Sequence, residues 1–193
     1  RLSFHGKAHP VAMYQSLSAA ATKAAVKVTL VECGWHANEA IKDAFTHAAK
    51  LIAPNLKVVR LDGRDKSNRY RAYASADIFC SFSDNIQETF GITPIEAMSA
   101  GLPVVVSDWD GYRDTVRNGV DGFRIDTTMP RVGLGKDLAF RHAVNLDSYD
   151  RYCGYTSSMV SIDLAQATEA FTKLFSSAAL RAQMGANGQS RST

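Results

Sequence analysis

Cysteine is scarce in this chain, and the three present, Cys33, Cys80 and Cys153, stand far apart with no paired spacing. That argues against a disulfide framework or a zinc site and fits a reducing cytoplasm. Their expected role is that of small buried hydrophobes, Cys33 and Cys80 at or in predicted strands. Long apolar runs are missing too. The longest, Ile78–Phe82 and Leu102–Val106, fall far short of the roughly 20 residues a membrane span needs. Neither sign of charge dominates: 22 basic residues against 19 acidic ones leave a net +3, which leans towards anionic ligands without requiring nucleic acid or a membrane. His36, His47 and His142 lack metal-ligand spacing. The Gly133-x-Gly135-Lys136 run fails as a phosphate loop, because no strand precedes it, the four-residue spacer is absent and Asp137 replaces Ser or Thr. Arg1-Leu2-Ser3-Phe4 shows neither a starting Met nor a charged-then-apolar leader, so a piece of a longer protein is expected.

What is present is enough chain, 193 residues with 46% hydrophobic, to bury a core as a single domain spanning 1–193. Strands are predicted at Leu2–His5, Val26–Cys33, Leu56–Leu61, Ala76–Ser83, Val104–Ser107 and Gly122–Ile125. Between them run helical patterns from Pro10, over His36–Ile52 and Ser67–Ala76, and at Tyr112–Arg117. Alternation of this kind predicts a doubly wound, Rossmann-like parallel sheet of about six strands, since parallel neighbours need crossovers that cover both faces. Residues 127–162 break the pattern and read as an insertion, with a functional lid as the other reading. Terminal helices are expected within 163–190, from Asp163 to Phe175 and from Ala178 to Asn187. The basic stretch Arg60–Arg71 is read as a solvated helix face rather than a nucleic-acid patch.

The chemistry concentrates after the fourth predicted strand, in Glu88-Thr89-Phe90-Gly91-Ile92-Thr93-Pro94-Ile95-Glu96. In open α/β sheets ligands sit at the carboxyl ends of strands, where loops enter helices. The N–H groups of Gly91, Ile92 and Thr93 lie at such an entry, with Pro94 as the expected first helical residue, and would present donors to a phosphate. Thr93-x-x-Glu96 also spells a capping box, so Glu96 is either a cap or a ligand-binding acid. Glu88 has no such local role. An acid beside an anion site is explained by a ligand that carries both phosphates and hydroxyls, that is, a nucleotide sugar.

The run from Glu88 through Glu96-Ala97-Met98-Ser99-Ala100-Gly101-Leu102-Pro103-Val104-Val105 resembles the signature of retaining glycosyltransferases of family 4, which have the GT-B fold. The likeness extends from Phe4-His5-Gly6-Lys7 through Tyr73-Ala74-Ser75-Ala76-Asp77-Ile78-Phe79 and Asn118-Gly119-Val120-Asp121-Gly122-Phe123 to Leu180-Arg181-Ala182-Gln183-Met184-Gly185. The resemblance implies the C-terminal, donor-binding half of a two-domain enzyme, a hexosyltransferase using a nucleotide diphosphate sugar. The acceptor-binding half would be absent, the fragment alone inactive, and any peripheral membrane contact made by the missing half. It further implies that Glu88 holds sugar hydroxyls with the amides of Phe90, Gly91 and Ile92, that Glu96 binds the ribose diol, and that Thr93 lies against the phosphates. The base would be gripped by main chain at Arg60, Leu61 and Asp62. Lys7 would neutralise the diphosphate leaving group, with no metal cofactor.

The chain departs from that pattern in places. Gly6-Lys7 stands where the family shows Gly-Arg, which keeps charge but loses the bidentate fork. The family's second cation falls on Ala12 or Met13, so that charge is expected from His9 or from outside this chain, failing which catalysis is impaired. The family's Gly-Gly after the fifth strand is Asp110-Gly111 here, with Asp114 where Glu is common. The alternatives to a transferase are a nucleotide-sugar epimerase of the same fold and a non-catalytic nucleotide-binding module.

Overall fold

The computed structural model describes Leu2 and residues 9–192. Helix α1 (Pro10–Ala24) carries Pro10 in its first turn, where a missing N–H costs nothing, and ends on Ala25 in the left-handed conformation. Strand β1 (Thr29–Gly34), helix α2 (Glu39–Ile52, capped by the Asn38 side chain) and strand β2 (Lys57–Asp62) form a crossover unit in which β1 and β2 pair in parallel. Helix α3 (Lys66–Ser75), capped by Asp65, buries none of its residues, as expected of a solvated face. It leads to β3 (Phe79–Ser81), α4 (Ile92–Ser99), β4 (Val104–Ser107), the short α5 (Tyr112–Thr115) and β5 (Gly122–Ile125).

Strand β4 is the centre of the three-stranded parallel sheet β3-β4-β5, and Val104, Val105 and Val106 are all 0% exposed. Their period of two divides the core. Val105 packs into a cluster with Tyr14 and Leu17 of α1, together with Ala167, Phe171 and Leu174 of α8 (Leu164–Ser176). Val104 and Val106 point to the other face, against Ala97 and Met98 of α4, Tyr112 and Val116. A strand covered on both faces reads as an unbroken apolar run, and fully burying each such side chain contributes on the order of 1.5–3 kcal/mol.

The expectation of one sheet of about six strands is corrected. The described strands form a parallel pair, a parallel triplet and a separate two-stranded antiparallel sheet. The predicted Leu2–His5 strand lies outside the described residues except for Leu2, which bridges to His36 in parallel beyond the end of β1. Strands β1 and β3 begin later than their apolar runs suggest, because Val26 and Ala76 lie at the ends of the preceding helices, which cap onto them, whereas β4 and β5 keep their expected bounds.

The remaining pair, β6 (Thr127–Thr128) and β7 (Ser161–Ile162), is the neck of the excursion, with Thr127 opposite Ile162 and Thr128 opposite Ser161. Between them, α6 (Lys136–Ala143) and α7 (Tyr149–Ser157) pack on each other. Gly133, Leu134 and Gly135 form the turn into α6. Arg141 holds the buried Asp147 at 2.6 Å within this unit. Large exposed apolar side chains gather here, among them Val132, Leu134, Phe140 and Leu146. The chain closes with α8, capped by Asp163 as expected, and α9 (Ala178–Ser192), which packs on α4 and extends past the predicted end at Asn187. No helix among the described residues is long and apolar enough to cross a membrane. All three cysteines are free thiols.

Candidate functional site: the loop entering helix α4

The site lies beyond the carboxyl end of β3. Ser83, Asp84 and Asn85 are buried, an unusual placement for three successive polar residues. The Ser107 hydroxyl donates to the Ser83 carbonyl. The Asn85 side-chain oxygen accepts from the Gln87 amide at 2.8 Å, while its carbonyl accepts from the Glu88 amide at 3.2 Å and from the Trp109 indole at 3.0 Å. Burial thus fixes the loop immediately before Glu88. Asp84 is only 7% exposed, its Oδ1 has no hydrogen-bond partner, and burial raises its pKa to about 7 against the lowering effect of a backbone hydrogen bond.

Glu88, Thr89, Phe90, Gly91, Ile92 and Thr93 line one cavity of about 290 Å³. Five of the expected site residues therefore meet in one place: Glu88, Phe90, Gly91, Ile92 and Thr93. Gly91 caps α4 in the left-handed region, with φ 75° and ψ 73°, and no side chain caps the helix. The N–H groups of Ile92 and Thr93 have no protein acceptor among the described residues, and Pro94 has no N–H to satisfy. The first turn of α4 accordingly presents two backbone donors and the positive end of the helix dipole to this cavity.

The capping-box reading of Thr93 and Glu96 is corrected. Helix α4 starts at Ile92, two residues earlier than Pro94 at the first position would require, so Thr93 is already helical. Glu96 instead accepts a hydrogen bond from the Tyr73 hydroxyl of α3 at 2.9 Å. Burial first, and then Glu96, push the Tyr73 pKa well above its ordinary value. The physical reason for the early start is Gly91: its positive φ reverses the chain ahead of Thr93, where a Thr cap would need an extended backbone. Thr93 and Glu96 both line the cleft between the facing edges of β1 and β3.

Arg60 and Leu61 border neither cavity. The Arg60 side chain is occupied by Glu32 of β1 at 2.7 Å and by the Thr46 hydroxyl at 2.8 Å, and Glu32 also accepts from the buried Tyr14 hydroxyl. Lys7 lies outside the described residues. His9 sits at the N-cap of α1, its ring nitrogen accepting from the Val11 amide.

Sequence reasoning marked Asp110-Gly111 only as a departure from the family's Gly-Gly and gave Trp109 and Tyr112 no part in the site. A Cβ on Gly111 would stand 2.4 Å from the Thr89 carbonyl oxygen and 2.6 Å from Phe90, and one on Gly91 would stand 2.2 Å from the Tyr112 ring. Burial raises the Tyr112 pKa to about 12, with the nearby Glu88 charge adding to it, and its hydroxyl lies 2.8 Å from that of Ser81. The signal in the sequence was two aromatic residues around a glycine, just after the most apolar strand.

Fold and site together define a parallel α/β domain with an amide-lined cavity at the carboxyl end of a strand. The chain belongs to the family described as glycosyl transferases group 1, which matches residues 11–131, more than half of its length. It is 46% identical over 59 residues to a phosphatidyl-myo-inositol mannosyltransferase of Mycobacterium leprae, a match covering 30% of this chain and 15% of that protein. It is 49% identical over 61 residues to a sucrose synthase of Melioribacter roseus, covering 32% and 8%. Against a D-inositol 3-phosphate glycosyltransferase of Corynebacterium glutamicum it is 31% identical over 91 residues, covering 47% and 21%. The matched segments span under a quarter of the length of these relatives. Among solved structures, Alr3699/HepE of Anabaena in complex with UDP and glucose superposes with a TM-score of 0.59 at 17% identity, over 100% of this chain and 41% of that one. Sucrose-phosphate synthase of Thermosynechococcus elongatus gives 0.53 at 18% identity, over 93% and 38%. These likenesses establish a Rossmann-like, GT-B-like fold.

Proposed function

We propose that this chain is the donor-binding, C-terminal half of a retaining glycosyltransferase of family 4, moving a hexose from a nucleotide diphosphate sugar to an acceptor bound by a separate half. The observation that carries the reading is the cavity shared by Glu88 and the open first turn of α4. An acid and a set of unpaired amides in one small cavity are complementary to a ligand with hydroxyls at one end and phosphates at the other. That the solved neighbour Alr3699/HepE holds UDP and glucose supports the same reading.

In this reading Thr93 and its amide, in the first turn of α4, take the phosphates, Glu88 with the amides of Phe90, Gly91 and Ile92 takes the sugar hydroxyls, and Glu96 takes the ribose diol. The hydrogen bond from Tyr73 holds the Glu96 carboxylate towards the cleft. Main chain at Arg60, Leu61 and Asp62 receives the base. Lys7 and the helix dipole stabilise the departing nucleoside diphosphate without a metal, and electrostatic stabilisation of a leaving group is a large catalytic term.

A thermal-shift panel tests the assignment. UDP-, GDP- and ADP-sugars are each titrated to large excess; a ligand that reaches about 100 times its dissociation constant stabilises by about 2.7 kcal/mol and raises the melting temperature by several degrees. One nucleotide series is expected to stabilise. No stabilisation by any of them would remove the reading.

A further inference from the structure

The loop after β4 had no role in the reading above, yet it interlocks with the donor loop at three places. The Trp109 indole N–H donates to the carbonyl of Asn85, the same oxygen that receives the Glu88 amide. Gly111 presses bare backbone against Thr89 and Phe90, leaving no room for a methyl group. Gly91 in turn rests on the ring of Tyr112, whose hydroxyl is tied to Ser81 at the end of β3. Trp109 is 9% exposed and Tyr112 is 0% exposed, so neither can reach a ligand in bulk contact. Their reach is to the residues that can.

We propose that Trp109, Gly111 and Tyr112 are positioning residues that set the place of Glu88 and of the α4 amides, and so determine how well the sugar end of the donor is held. The inference rests on the donor-binding reading. Binding groups must be held within about half an ångström of their productive places by packing behind them, and here the packing comes from one neighbouring loop. The loop is itself fixed: the Asp108 amide donates to Ile125 at 2.7 Å, and Thr127 and Arg113 donate to the Asp108 carbonyl.

Gly111 offers a selective test. Its backbone sits at φ −59° and ψ −16°, a conformation any residue adopts, so alanine there costs nothing in φ and ψ, and the three atoms nearest its Cβ are all backbone of Thr89 and Phe90. Gly111→Ala and Trp109→Phe are made in this chain, the second keeping an aromatic ring while removing the N–H with the pyrrole half of the indole. Hydrogen exchange is followed over residues 84–93, and affinities are measured for UDP-glucose and UDP, GDP-mannose and GDP, and ADP-glucose and ADP. Exchange over 84–93 is expected to quicken by about tenfold while β4 and α8 stay protected. For the pair that binds, the nucleotide sugar is expected to lose at least about fivefold more affinity than the nucleoside diphosphate. A merely structural role would weaken both ligands alike, and that result, or unchanged exchange over 84–93, overturns the inference. If Gly111→Ala does not fold, Trp109→Phe decides alone. Wild-type protein that binds none of the six ligands overturns the donor reading and the positioning role together, and the wild-type titration tells this apart from failure of the positioning role alone.

Discussion

Asp84 is the residue whose chemistry departs furthest from its sequence context. An aspartate in an unfolded chain titrates near about 3.9, whereas burial without a partner for Oδ1 raises this one to about 7. Between those values the folded protein binds a proton that the unfolded chain releases, so stability falls as pH rises through the window and levels off above it. Asp84→Asn is expected to abolish that loss and to stabilise the protein at pH 8, with an upper bound of about 4 kcal/mol. Urea unfolding of both proteins at pH 4, 6 and 8 checks it, and parallel pH dependences would count against it. Asp121 works in the opposite sense: burial raises its pKa, but the Arg117 guanidinium and amide overcome this and hold it low. Its contribution is present above about pH 4 and is lost only as pH falls through the depressed value. At this scale Glu88 and the amides after it were legible, because a strand-to-helix entry with an unexplained acid is a local pattern. Asp84, Trp109 and Tyr112 were not, since their roles depend on which side chains burial brings against them from residues far along the chain.

Helix, strand and turn signals carried unequal information. Helices α1, α2, α8 and α9 were legible from apolar spacing and caps, and β4 from three successive valines that need two covered faces. Helices α6 and α7 were invisible, because α6 buries nothing and α7 buries only Cys153 and Ser157, so neither writes an apolar period. The neck explains how such an excursion is tolerated. Thr128 and Ser161 face each other across an antiparallel pair, so the chain leaves and returns at one point. Replacing residues 129–160 with Asn-Gly, a natural two-residue hairpin turn, is expected to leave a folded domain that melts within about 5 °C of the parent and binds its donor equally well. Differential scanning fluorimetry and calorimetry check this. Lost donor affinity in a folded deletion variant would favour the lid reading over the insertion.

For the molecule as a whole, the parallel character of the sheet, its double covering and its place among glycosyltransferases were legible, whereas the division of the described strands into separate hydrogen-bonded groups was not. Apolar runs report burial, not which edges pair, and that choice is settled by long-range contacts. The two faces of β4 tie the halves of the chain together: α1 and α8 cover one side, α4 and α5 the other, and the loop holding Glu88 is suspended between β3 and α4 at the rim. The proposed function turns on Glu88. Isothermal titration of wild-type protein and Glu88→Gln, with the nucleotide sugar that stabilises the chain and with its nucleoside diphosphate, is the most direct test. A tenfold weaker complex corresponds to about 1.4 kcal/mol, and a loss of about that size is expected for the nucleotide sugar, with the diphosphate unchanged. Undiminished nucleotide-sugar affinity in Glu88→Gln would contradict the assignment.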